Sequence, residues 1–227
     1  EGGAGLSDSQ KYLYRVLFLE GHLRIGKDLY DAGYAKDALP HFNHVVEHLE
    51  GHIGAELKEN GFDIDHVLPE AKSLSLVVEN EAGAEAVKQT YEHVLHELDL
   101  HKIKVNALAA RHPDFVMSVV TGLLRKAAEE YGEAVQDGQV VNAAEYHDAR
   151  GIVFTARDYL GTAASELYGA DTERLTTLLT EMDALMAHLD SVQPPAEPAT
   201  ASAFSAGVSR VELAMSGLYE TGFGAGP

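Results

Sequence analysis

The chain has 227 residues, with 17 Lys and Arg against 36 Asp and Glu, 12 His, and neither Cys nor Trp. A formal net charge of −19 excludes the basic surface that a nucleic-acid partner needs, and attracts cations only weakly and without selectivity. Without cysteine there is no disulfide framework and no thiolate ligand, so any metal must be held by His, Asp, Glu or carbonyl oxygen.

No apolar run approaches the roughly 18 residues that cross a bilayer, so nothing in this chain reads as a membrane span. The start, EGGAGLSD, lacks a Met. It follows either a removed signal peptide or lipoprotein leader, or an arbitrary boundary.

Residues 7–31 read as a helix that Ser7 or Asp8 caps and Gly33 ends. Tyr12, Val16, Leu19 and Leu23 make one apolar strip; Phe18, Ile25 and Leu29 make another. His22 projects between them, so burial is expected. A short turn through Gly33 then predicts an antiparallel hairpin with residues 35–57, Pro40 suiting its first turn.

That second helix carries His41, His44, His48 and His52 in one strip roughly 80° wide. Phe42, Val46, Leu49 and Ile53 form the apolar strip beside it. Counting back from the turn places His22 level with His44 and His48. Three helical turns span about 16 Å, so the four histidines cannot share one ion. Imidazoles spaced i, i+4 can, together with a histidine on the facing helix. His22, His44 and His48 are therefore the candidate ligands, and His41 and His52 are accessory.

Further on, residues 68–81 and 84–109 read as helices, Pro69 opening the first. His93, His96 and His101 read as solvated or peripheral. After His112-Pro113, helices are expected at 114–136, 142–167 and 171–192, with Asp137-Gly138 as a turn. SVQPPAEPATASA reads as a Pro/Ala linker, followed by a short helix at 204–219 and the GFGAGP tail. No segment shows sustained strand alternation. The fold class is all-α: an antiparallel helical bundle, divided as 1–110 (His-rich half), 111–192 (second half) and 193–227 (linker and last helix). Laying Gly33 on Gly138 aligns two helix–glycine turn–helix units, the pattern of a duplicated hairpin at low identity. Nine of the 12 histidines lie at or before His101, which places a site in the first half.

Residues 123–153, LLRKAAEEYGEAVQDGQVVNAAEYHDARGIV, carry Tyr131, Ala134-Val135, Asp137-Gly138, Val140 and Glu145-Tyr146. This pattern resembles the extracytoplasmic helical segment that precedes the permease domain of bacterial high-affinity iron permeases. A broader likeness is to the imelysin/EfeO group of duplicated periplasmic bundles linked to iron uptake. That group's Gly-x-His-x-x-Glu signature is not carried, because Gly21-His22-Leu23-Arg24-Ile25 lacks the Glu. The resemblance implies a periplasmic or otherwise extracytoplasmic location and a connection with metal transport; a lipid anchor before processing belongs to the lipoprotein-leader alternative for the start of the chain. Glu145, His147 and Asp148 fall within the matching segment, although Glu145 also suits a helix N-terminus, where a carboxylate complements the dipole.

No Glu-x-x-His pair, phosphate loop, nucleophile elbow or His-Glu-x-x-His occurs, so no enzyme is expected. The expected function is binding of a transition-metal ion (iron, copper or zinc) for uptake or handling. Partners would be the ion and a membrane permease or another periplasmic protein. Neutral imidazoles are required, so affinity should fall as pH drops through about 6.5. The alternative is a metal-free helical module that docks a membrane or periplasmic partner.

Overall fold

The computed structural model describes residues 5–105, 112–162 and 172–219. Helices account for nearly all of them: α1 (Asp8–Asp31), α2 (Ala35–Glu50), α3 (His52–Glu59), α4 (Ile64–Glu79), α5 (Ala84–Lys102), α6 (Pro113–Ala134), α7 (Ala143–Thr162), α8 (Thr172–Met186) and α9 (Ala201–Tyr219). The fold is all-α. The ends predicted for α5 and α7, the first residue predicted for α8, and the two chain termini lie outside the described residues.

The helices form hairpins α1–α2, α4–α5, α6–α7 and α8–α9. In the first half α1, α2, α4 and α5 pack together; in the second, α6, α7, α8 and α9 do. The halves meet where α1 lies against α7 and α6, and one apolar core runs through both. This explains the two strips on α1: Leu13, Val16, Leu19, Leu23, Ile25 and Leu29 are all buried, because α1 has neighbours on every side. A capping box closes its start, Ser7 and Gln10 each accepting from the other's backbone N–H. Gly33, at φ +88°, makes the turn into α2.

At the α6–α7 hairpin, Asp137 and Gly138 both have positive φ, 51° and 74°. That is the backbone of a tight hairpin turn, and it closes a two-residue ladder, Val135 with Val140 and Gln136 with Gln139. The Pro/Ala segment before α9 is an ordered strap. Tyr131 Oη donates to the Ala199 carbonyl at 2.9 Å, Tyr146 Oη to Ser191 at 3.1 Å, and Arg150 Nε to Leu189 at 3.0 Å. Tyr131 also stacks on Phe204 at 4.1 Å, seating α9.

Two departures from expectation matter. The stretch 35–57 is two helices, not one. Gly51 is extended (φ −93°, ψ −154°), and Gly54 packs so tightly on the Leu49 carbonyl that a Cβ there would collide with it. In addition, α4 starts four residues earlier than expected, at Ile64, with Pro69 inside it.

The halves are brought together by glycine. Gly21 on α1 faces Gly151 on α7: a Cβ on Gly21 would lie 3.2 Å from the Ile152 nitrogen, and one on Gly151 would strike the Gly21 carbonyl oxygen. The helices touch backbone to backbone, one residue before His22 and three after Asp148. Gly151→Ala is expected to lower unfolding free energy by about 1–3 kcal/mol. Gly132→Ala on α6, whose Cβ meets nothing within 4 Å, should raise it by roughly 0.5–1 kcal/mol. Urea denaturation of both variants checks the contrast.

Candidate metal centre

One buried carboxylate gathers imidazoles from two other helices. Asp148 on α7 is 2 % exposed. Its Oδ1 lies 2.7 Å from His22 Nδ1 on α1 and 2.7 Å from His41 Nδ1 on α2, and its Oδ2 lies 3.3 Å from His44 Nδ1. These four residues can offer donor atoms that all fall within 4.8 Å of one another. His22 and His41 are buried, whereas the His44 side chain is 31 % exposed and marks the open side.

Two further histidines flank this group. His147 Nδ1 approaches His41 Nε2 at 3.3 Å, and the His48 ring lies 5.1 Å from the His22 ring and 5.1 Å from Phe18. His22 Nε2 and His147 Nε2 are buried without a hydrogen-bond partner. A buried nitrogen lone pair with no donor is costly, and at His22, a member of the gathered group, a cation is one way to satisfy it.

Burial alone would raise the Asp148 pKa. The His22 charge and hydrogen bonds from His22, His41 and His44 overcome that and hold it well below the usual carboxylate range. A hydrogen bond to Asp148 raises His44, against the opposing effect of its own burial. His48 falls to about 4 through burial and repulsion from His22 and His44. His147 also falls to about 4, through burial and His41. His48 and His147 are thus neutral at physiological pH, the form that can ligate.

Beside the centre, Glu130, Glu133 and Glu145 bring carboxylate oxygens within 4.8 Å of one another. Burial first, then the hydrogen bond and charge of Glu130, push Glu145 up to about 8, while Lys126 pairs with Glu130 at 2.7 Å.

The sequence-derived candidates are distributed unevenly. His22, His41 and His44 converge on Asp148, and His48 stands beside His22. His52 opens α3 and is exposed, turned off the strip by the break at Gly51. His41, read as accessory, is fully buried at the centre, because α2 buries Ala38, His41, Phe42, Val45 and Leu49 rather than a face through Val46. His93 and His96 are exposed. His101, read as solvated, is a core histidine: it stacks on Phe62 at 3.9 Å and bonds Tyr12 Oη at 3.0 Å. The sequence alone gives little sign of Asp148 and His147. The available signal was Gly151, a small residue one turn beyond them that permits close helix approach.

Folding holds His48 and His147 neutral, so the unfolded chain takes up protons first as pH falls below about 6.5. Their contribution to stability is complete above that pH and lost toward pH 4. For His147 the loss is on the order of 3 kcal/mol. His44, raised, contributes in the opposite sense, and Asp148 adds a further loss only below about pH 3.9. Urea unfolding of metal-free protein at pH 7.5, 5.5 and 4.5 should show falling stability, with a shallower fall in His147→Gln.

A family model for the iron permease-associated 4-helix bundle domain matches residues 108–222, just over half of the chain. The described helices in that range are α6 to α9. Neither the curated proteins nor the solved structures give a match. Asp148 and His147 lie inside the matched region; His22, His41, His44 and His48 come from the hairpin before it. The chain belongs to the iron permease-associated 4-helix bundle family.

Proposed function

We propose that this protein binds a transition-metal ion outside the cytoplasm, at the centre built by His22, His41, His44 and Asp148, and serves iron-permease-linked uptake. One observation carries the reading: three imidazoles from two helices converge on a carboxylate buried to 2 % exposure, all with donor atoms within 4.8 Å. A purely structural core would reach the same packing with apolar residues at lower desolvation cost. Nitrogen and oxygen donors without thiolate suit iron, copper or zinc as the bound ion.

The family match supports the link to iron permeases, and the acidic surface suits a cation-rich encounter. No described helix is long and apolar enough to cross a membrane. The role is binding and delivery rather than catalysis. His44 is the most exposed of the four groups, its side chain 31 % exposed.

The test is calorimetric titration of chelator-treated protein with Fe(II) under anaerobic conditions, and separately with Zn(II) and Cu(II). One ion per chain is expected, and at about 100 times Kd it should add about 2.7 kcal/mol of stability. Asp148→Asn and His41→Ala should weaken binding by about a hundredfold, whereas His52→Ala should leave it unchanged. Equal binding by all variants would move the ion away from this centre, and no ion-dependent rise in melting temperature would favour a metal-free docking module; either result sinks the proposal.

A further inference from the structure

His41 is fully buried and makes two side-chain hydrogen bonds, one at each ring nitrogen. In its neutral form the ring carries a single proton. The Asp148 carboxylate, 2.7 Å from Nδ1, claims that proton, so Nε2 presents a lone pair and must accept. The group facing Nε2 is His147 Nδ1 at 3.3 Å, which must therefore donate. His147 Nε2 is then left as a lone pair, and it is one of the buried atoms without a hydrogen-bond partner. One anion thus fixes the tautomers of two imidazoles in series.

Coordination through His41 Nδ1 would reverse this pattern. The Nδ1 proton would go to solvent, and His41 would need a proton on Nε2 with an acceptor opposite it. His147 could meet that need: its Nδ1 proton would pass to His41 Nε2, its own Nε2 would take up a proton from solvent, and its Nδ1 would become the acceptor. One proton leaves the pair and one enters, so the count is unchanged. An imidazole has both a donor and an acceptor form, so the same side chain fits the empty and the loaded state.

Resting on the metal-centre reading, we propose that His147 is a positioning residue for His41, holding the ligand ring in either tautomer without itself touching the ion. Outer partners of this kind normally are carboxylates, carbonyls or water, and their loss weakens metal affinity by about ten- to a hundredfold. The packing fits. His147 is 2 % exposed, its ring lies 5.3 Å from that of His41 at 75°, and it sits on α7 next to Asp148.

The experiment titrates full-length chelator-treated protein with Zn(II) and with Cu(II), comparing wild type, His147→Leu and His147→Gln. His147→Leu should weaken binding by about ten- to a hundredfold while keeping a metal-free melting temperature close to wild type at pH 7.5. His147→Gln, whose amide can donate or accept, should stay within about threefold of wild type. The Cu(II) electron paramagnetic resonance spectrum should show the same number of coupled nitrogens in all three. Wild-type affinity in the Leu variant would remove the role of His147 while leaving the metal centre standing. Loss of one coupled nitrogen in both variants would make His147 a ligand instead and overturn the proposal. Failure of the wild type to take up any ion would remove the centre itself, and this role with it.

Discussion

A carboxylate taken out of water must be compensated where it ends up, and in this protein that requirement ties three helices together. Asp148 lies at the contact between α1 and α7 with just 2 % of its surface exposed. Left alone there, an anion would cost several kcal/mol. His22 from α1, and His41 and His44 from α2, supply the compensation. Their reach is short, so the helices must come close, and Gly21 against Gly151 allows it. The glycine crossing and the polar cluster are a single packing solution, one turn apart.

This arrangement divides the centre between two parts of the chain. The carboxylate and its neighbour His147 come from the region that matches the iron permease-associated bundle, while the main imidazoles come from the preceding hairpin. Neither part can form the centre alone. The matched region by itself would expose Asp148 beside the Glu130, Glu133 and Glu145 cluster, an excess of negative charge. The first hairpin by itself would pack several imidazoles against one another with no anion to orient them. Joined, the burial of one set of groups is offset by the other.

The residues shared with the iron permease segment acquire mostly structural meanings. Asp137-Gly138 forms the tight turn and Val135 with Val140 its ladder. Tyr131 and Tyr146 send their hydroxyls to the strap that leads into α9. Glu145 alone of this pattern stands near the centre, raised by burial and by Glu130.

The sequence by itself determined the helical class, the hairpin turns and the burial of His22. Apolar spacing of 3.6 and glycine at positive φ are local properties, readable wherever they occur. It also pointed to the histidine strip on α2, though not to which of its residues the fold gathers around Asp148. His52 left the strip because Gly54 packs on the Leu49 carbonyl, a contact formed only once the chain bends at Gly51. His41 moved from the margin to the centre, and Asp148 and His147 entered it, because α7 crosses α1 at a glycine pair more than a hundred residues apart in sequence. Periodicity says which residues share a face of one helix. Which face of another helix it meets, and at what level, depends on the close approach of two backbones, and that was decided in the tertiary structure.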